Sequence, residues 1–247
     1  MKSEPVLVRK LAVAGVVSLQ LLAGCGGGTS PSSMSITTES VDPQSIALDS
    51  NGKFAYVMDG GSDGSGGYVS MYTINPTTGA LASIGPPVST YGYGVSAGSV
   101  AVDPLGRFAY VTNSGDVFDY GDGADGTVAM YAINATTGAL TSTGTINGNC
   151  PGLCLPSSVV VDPSGRLAYV ANGGGGAPFN VAMYTINAAT GVLTPTGTIA
   201  TGVAPTSIAI HPSGKFAYVT NSGSNSVSMY GIDSATGTLT LIGTIGT

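Results

Sequence analysis

Charge is scarce in this chain. Of 247 residues only 7 are lysine or arginine and 13 aspartate or glutamate, with one histidine and no tryptophan. Ordinary soluble domains carry roughly a quarter charged residues, so Ser, Thr, Asn and Gly must cover this surface. Beyond the first 24 residues, four basic side chains face twelve acidic ones. A body with that balance cannot neutralise a phosphate backbone, which excludes nucleic acid as a partner. Cysteine is also sparse, at positions 25, 150 and 154. No third and fourth ligand can be named for zinc, and neither a metal site nor a cofactor is assigned. The longest apolar stretch falls short of the roughly 20 residues of a membrane-spanning helix. The 39 glycines follow no G-x-y period, which excludes collagen, and regular apolar runs exclude simple disorder.

The amino end reads as a targeting segment. Lys2, Arg9 and Lys10 precede the twelve-residue apolar stretch Leu11 to Leu22, the make-up of a signal-peptide core. It runs into Leu22-Ala23-Gly24-Cys25, which resembles the bacterial lipobox, in which the cysteine is acylated and becomes the first mature residue. Residues 1–24 are therefore expected to be a lipoprotein signal peptide, and Cys25 the lipidation site and the chain's contact with a membrane. Gly26 to Ser33 forms a flexible tether. With no Asp after Cys25, the expected address is the bacterial cell envelope, on the periplasmic or outer-membrane side.

From about residue 41 to 247 one unit recurs four times, as blades near 41–95, 96–155, 156–203 and 204–247. Second strands read Phe54-Ala55-Tyr56-Val57, Phe108-Ala109-Tyr110-Val111, Leu167-Ala168-Tyr169-Val170 and Phe216-Ala217-Tyr218-Val219. Third strands centre on Met71-Tyr72, Met130-Tyr131, Met183-Tyr184 and Met229-Tyr230. Each unit also has a leading apolar strand and a trailing Thr-rich one. Four short strands per unit of roughly 50 residues predict an all-β chain of antiparallel β-propeller blades.

The spacing sorts the joints into two kinds. The turn glycine precedes the second-strand tyrosine by four residues in every copy, and the third-strand methionine precedes the next turn glycine by eight. The remaining joints vary: tyrosine to methionine takes 15, 20, 14 and 11 residues. In an up-and-down blade alternate joints lie at opposite ends, so all length variation collects at one end, here called upper. Repeat insertions on one face mark a binding face. The lower turns, such as Asp103-Pro104-Leu105-Gly106, follow type I turn chemistry. Lys53, Arg107, Arg166 and Lys215 each follow a lower-turn glycine, and His211 fills the Asp slot of the fourth turn.

The Phe-Ala-Tyr-Val-Thr-Asn runs (Phe108 to Asn113, Phe216 to Asn221), with the Met-Tyr-x-Ile-Asn and Thr-Thr-Gly-Ala-Leu elements, resemble the YVTN-type repeats of the lactonase family. That resemblance covers about residues 41 to 247 and implies a seven-bladed propeller. Members are described as 6-phosphogluconolactonases, as muconate-lactonising relatives or as surface repeat proteins. A phosphorylated lactone calls for cations or a helix N-terminus, yet the four cations all follow lower turns. Two other motif matches are chance in so glycine-rich a chain. Gly94-Val95-Ser96-Ala97-Gly98 lacks the strand-to-helix turn of a nucleophile elbow, and Gly121 to Gly126 lacks a βαβ unit.

The variable joints hold the candidate ligand-binding residues: Asp59, Asp63, Tyr68, Tyr91, Tyr93, Asp116, Phe118, Asp119, Tyr120, Asp122, Asp125 and Phe179. Aromatic plates beside carboxylates suit sugars, peptides or cationic groups. Cys150 and Cys154 flank a Pro-Gly turn and are expected to form a disulfide that staples an upper loop. The reading is a lipid-anchored propeller that binds a glycan, peptide or protein through its loop face, with no identifiable catalytic centre. The alternatives are a lactonase hydrolysing a cyclic ester and a passive surface repeat protein.

Completeness gives one more expectation. Ser33 to Glu39 aligns with the trailing strand Thr196 to Thr201, as though an early strand were supplied to close the last blade of a ring. The fourth unit already has its own trailing strand, Leu239 to Ile245. Four blades are thus expected to be part of a larger ring, with further blades lost after Thr247. An open arc would expose blade faces and invite pairing with a second arc.

Overall fold

Side-chain size alternates along each second strand, and this decides how blades stack. In Phe108-Ala109-Tyr110-Val111 the strand period of two sends Phe108 and Tyr110 to one face and Ala109 and Val111 to the other. Each sheet thus has a bulky face and a small one, and the bulky face of one packs on the small face of the next. The computed structural model describes residues 9–13, 16–20, 37–38, 43–60, 67–90, 96–114, 126–149, 155–174 and 178–247, the first three stretches as backbone only. Residues 1–41 and 42–247 form two separate units.

In the first unit β1 (Arg9–Val13) and β2 (Val16–Gln20) make an antiparallel hairpin, and β3 (Thr37–Thr38) pairs with β2. Thr37 and Thr38 lie in the segment expected to be an early closing strand; the partners described for them are Ser18 and Val17. Among the described residues no helix is long and apolar enough to cross a membrane.

The second unit consists of four antiparallel sheets whose strands follow chain order. Blade I contains β4 (Pro43–Leu48), β5 (Phe54–Asp59), β6 (Tyr68–Ile74), β7 (Leu81–Ser83) and β8 (Val88–Ser89). Blade II contains β9 (Ser96–Val102), β10 (Phe108–Ser114), β11 (Thr127–Ile133) and β12 (Leu140–Asn147). Blade III runs through β13 (Leu155–Val161), β14 (Leu167–Gly174), β15 (Asn180–Ile186) and β16 (Leu193–Ala200). Blade IV is β17 (Pro205–Ile210), β18 (Phe216–Asn221), β19 (Ser226–Ile232) and β20 (Leu239–Gly246). The leading strands β4, β9, β13 and β17 pack side by side in that order.

Blade I departs from the others in its outer strand. β12, β16 and β20 each slip register opposite the Met-Tyr pair of the third strand. In blade I the same place is a break, with β7 and β8 pairing separately with β6. Gly85-Pro86-Pro87 fills the gap, and proline has no N–H to give to a ladder.

The core lies between blades rather than within them. Three apolar clusters each join two neighbours, I to II, II to III and III to IV. The same contacts recur at every junction. The second-strand tyrosine donates to the carbonyl of the next blade's turn glycine: Tyr56 to Gly138 (3.0 Å), Tyr110 to Gly191 (2.9 Å) and Tyr169 to Gly237 (2.9 Å). The third-strand methionine sulfur accepts a leucine N–H from the next blade, as at Met71 and Leu140, Met130 and Leu193, and Met183 and Leu239. In the opposite sense, Tyr131, Tyr184 and Tyr230 each donate to a carbonyl of the preceding blade.

Candidate functional site

Hydrogen bonds between blades identify the two ends of the unit. At the lower end, the Arg107 Nη1 of one turn donates to the Ala188 carbonyl in the next blade's turn (3.1 Å). This end uses its polar groups to build turns. Asp49, Asp103 and Asp162 are buried, and each Oδ1 accepts the main-chain N–H of the fourth and fifth residues on. Arg107 adds Nε and Nη2 to Asp103 Oδ2, at 3.0 and 2.8 Å. Its guanidinium also lies 5.1 Å from the centre of the Phe108 ring. His211 takes the Asp position in the fourth turn with different bonds: its Nδ1 accepts from Ser213 N (3.1 Å) and meets Ser213 Oγ at 2.8 Å, and Lys215 N donates to Ser213 Oγ instead. Facing another turn residue, the lone histidine is a turn filler. Lys53, Arg107, Arg166 and Lys215 all sit at the mouths of these turns.

One prediction arises here. Asp103→Ala leaves two main-chain donors and a guanidinium without their acceptor. The ion pair, whose guanidinium side is 34% exposed, contributes at most about 1 kcal/mol, and each donor without an acceptor adds about 1 kcal/mol. A loss of about 2–3 kcal/mol in urea unfolding is expected, with Asp103→Asn recovering part of it.

A second ring of polar side chains marks the upper end. Three residues beyond each second-strand tyrosine stand Asp59, Asn113, Asn172 and Asn221, all buried. Asn113 Nδ2 donates to the Thr90 carbonyl (3.1 Å), Asn172 Nδ2 to the Gly148 carbonyl (3.0 Å), and Asn221 Oδ1 accepts from Thr201 Oγ1 (2.9 Å). Thr90, Gly148 and Thr201 each follow the outer strand of the preceding blade, where the chain starts across to the next. The asparagine that ends the repeat motif is therefore a latch on that crossing. Sequence reasoning singled out the motif without assigning its asparagine this role; the constant three-residue offset from tyrosine was the available signal.

Below the latches the inner strands carry hydroxyls, buried at Thr112, half-buried at Ser157 and exposed at Thr206 and Thr220. Ser99 N donates to Thr112 Oγ1 (2.8 Å), Ser157 Oγ to the Ala171 and Pro205 carbonyls (3.0 and 2.8 Å), and Thr206 meets Thr220 at 2.9 Å. Asn172 Oδ1 is the buried side-chain oxygen that has no partner among the described residues.

Three of the twelve expected ligand-binding residues are described. Asp59 is not a loop residue but the end of β5. It takes the latch slot of blade I, where its Oδ2 accepts from Ser70 Oγ (2.5 Å). Tyr68 lies directly opposite it at the start of β6. Phe179, half-buried just before β15, accepts the Thr201 N–H on its carbonyl (3.3 Å). Asp59 and Tyr68 are thus brought together, while Phe179 belongs to blade III. Asp63, Tyr91, Tyr93, Asp116, Phe118, Asp119, Tyr120, Asp122 and Asp125 lie outside the described residues, as do Cys25, Cys150 and Cys154. No group of three or more His, Cys, Asp or Glu that could hold a metal occurs among the described residues.

Residues 124–246 match the family described as Lactonase, 7-bladed beta-propeller. No curated protein sequence matches the chain. Among solved structures, a Bacteroides uniformis protein provisionally named a 6-phosphogluconolactonase aligns at TM-score 0.70 and 19% identity, over 94% of this chain and 65% of its own length. A Bacteroides fragilis protein of the same provisional name aligns at 0.65 and 21%, over 94% and 65%. A functionally unknown protein of Desulfotomaculum acetoxidans aligns at 0.64 and 17%, over 97% and 70%. At these identities the likeness is one of fold. The chain spans about 65% of the length of the two Bacteroides proteins.

Proposed function

We propose, from the premise that residues 124–246 make this chain a lactonase-family β-propeller, that it is a lipid-anchored envelope protein whose upper face takes an uncharged, hydroxylated ring and opens it as a lactone. The observation that carries this reading is the placement of the cations. Lys53, Arg107, Arg166 and Lys215 belong to lower-end turns, and Arg107 is committed there to Asp103. A phosphorylated substrate needs cations at its binding end, whereas a neutral ring is held by aromatic faces and hydroxyl or amide partners. The joint between β10 and β11 supplies Asp116, Phe118, Asp119, Tyr120, Asp122 and Asp125 in sequence. A carboxylate there is the base proposed to draw a proton from water as the water oxygen bonds to the lactone carbonyl carbon; the ring acyl C–O bond then breaks, and the same carboxyl returns the proton to the leaving ring oxygen, giving a hydroxy acid.

A second reading is binding of the same ring without turnover. It is favoured by His211, the chain's single histidine, whose ring faces Ser213 in a lower turn. A panel of phosphorylated and unphosphorylated sugar lactones, assayed for ring opening and by calorimetry, separates the readings. Turnover of neutral lactones that is lost in an Asp116→Asn, Asp119→Asn double variant supports hydrolysis, and binding without turnover supports the second reading. Preference for the phosphorylated lactone overturns both.

The anchor has its own test. Cys25→Ala is expected to shift the protein from the membrane fraction to the soluble one or to block its maturation. Unchanged fractionation, with no acyl mass on Cys25 in the parent, would overturn it.

A further inference from the structure

In three of the four blades a hydroxyl group touches the upper latch. Three positions can supply it: the crossing residue, the third-strand residue paired with the latch, and the residue two further along that strand, which shares its face. Blade I uses the last of these, Ser70 Oγ donating to Asp59. Blade II uses the second, Asn113 Nδ2 meeting Thr127 Oγ1 at 3.2 Å. Blade IV uses the first and the last: Asn221 Oδ1 accepts from Thr201 Oγ1, and its Nδ2 donates to Ser228 Oγ (3.0 Å). Blade III has Gly148, Asn180 and Ala182 at the three positions, and none of them carries a hydroxyl. It is in this blade that the latch, Asn172, is 3% exposed and holds the buried side-chain oxygen that has no partner among the described residues. Two main-chain carbonyls prevent the amides from turning over to relieve it. Asn172 Nδ2 donates to the Gly148 carbonyl (3.0 Å) and to Asn180 Oδ1 (2.9 Å), and Asn180 Nδ2 donates to the Pro178 carbonyl (3.3 Å). Reversing either amide would set oxygen against a carbonyl oxygen.

We propose that one buried water molecule binds at the blade III latch and serves as the hydroxyl that side chains supply in the other three blades. It donates one proton to Asn172 Oδ1. The Gly148 carbonyl takes one proton from Asn172 and has a second lone pair, which accepts the water's other proton. A buried oxygen without a donor is costly, and water removes that cost where the protein offers none. Buried waters are held by about two to four polar partners, and these two meet that need. Glycine in place of threonine at the crossing, and alanine in place of serine on the third strand, both reduce the side-chain volume beside the amide, where a water takes about 30 Å3. The larger Asn180 directs its own amide donor to Pro178. The inference does not depend on any lactonase activity.

The test is a crystal structure of the full chain, purified in mild detergent and solved at a resolution that shows ordered solvent, beside that of Ala182→Ser. The parent is expected to show one solvent peak about 2.5–3.0 Å from Asn172 Oδ1. Ala182→Ser adds a hydroxyl at the position from which Ser70 reaches Asp59 in blade I. The peak is therefore expected to vanish, with the new hydroxyl bonded to Oδ1 in its place. The parent alone decides whether the water binds, so that result stands even if the variant fails to fold. A parent with no solvent peak at Oδ1 overturns the inference, as does a donor from residues 150–154 or 175–177 on that oxygen. A peak surrounded by about six or more oxygens at about 2.3–2.6 Å is a cation and overturns it too. A water that keeps its place in Ala182→Ser overturns its role as the substitute hydroxyl.

Discussion

Gly191→Val is expected to destabilise the propeller by about 2–5 kcal/mol, a large share of the roughly 5–15 kcal/mol by which domains are stable. Two independent effects add. The backbone at Gly191 has φ +73°, a left-handed conformation that costs a β-branched residue about 1–2 kcal/mol or more. A Cβ there would also lie 2.4 Å from Cδ1 and 2.6 Å from Cγ of Phe108, a ring buried between blades II and III. Forcing that ring aside overpacks the junction at a cost of about 1–3 kcal/mol, and it disturbs the carbonyl that Tyr110 reaches. Gly52→Val separates the two effects. Gly52 has φ +66° but open space around its Cβ position, so only the conformational cost should appear. Urea midpoints of the two variants measure the difference. Equal losses would mean that Phe108 moves freely and that the junction is softer than its burial implies.

The second large effect is alkaline unfolding. Burial pushes the phenols of Tyr56, Tyr110, Tyr169 and Tyr184 well above the usual tyrosine range. The neighbouring Asp49, Asp103 and Asp162 carboxylates raise the first three further, with Arg107 opposing at Tyr110. In the unfolded chain these phenols ionise near pH 10; in the folded chain they stay protonated. Stability is therefore fully present below about pH 10 and falls as pH rises above it, by about 1.4 kcal/mol per pH unit for each tyrosine. Four such groups remove roughly 5–6 kcal/mol per unit, enough to unfold the propeller within one to two units. Absorbance should show exposed phenols ionising first, then a cooperative step that coincides with loss of circular dichroism. A single gradual titration near pH 10 in a chain that stays folded would contradict this account.

The lower end was legible from sequence because its chemistry is local. Asp-Pro-x-Gly specifies a turn from within four residues, and the structure adds only that the carboxylate accepts the fourth and fifth N–H groups. The strands were legible for a related reason: Phe-Ala-Tyr-Val alternates with a period of two, and both faces of a blade are buried against other blades. The break between β7 and β8 was not read from the sequence, which assigned each unit one trailing strand, although its cause, Gly85-Pro86-Pro87, is local. The role of Asn113, Asn172 and Asn221 was not legible, because the groups they latch stand 20 or more residues earlier in the chain. Asp59 was misplaced in a loop for the same reason. Its latch slot is defined by comparison with the asparagines of other blades, and its neighbour Ser70 comes from the next strand.

By itself, the sequence determined the repeat, the four-stranded unit, the two classes of joint and the placement of every cation beyond residue 24 near a lower turn. These follow from spacing, turn chemistry and alternation, which act over a few residues. Only the tertiary structure decided which side chains become junctions. The tyrosine-to-glycine and leucine-to-methionine hydrogen bonds join residues 56 to 82 positions apart. That pairing exists only when the bulky face of one blade meets the small face of the next. The exposure of Phe216, Tyr218 and Leu81 was likewise decided in three dimensions, since each repeats a residue that is buried wherever a neighbouring blade covers it.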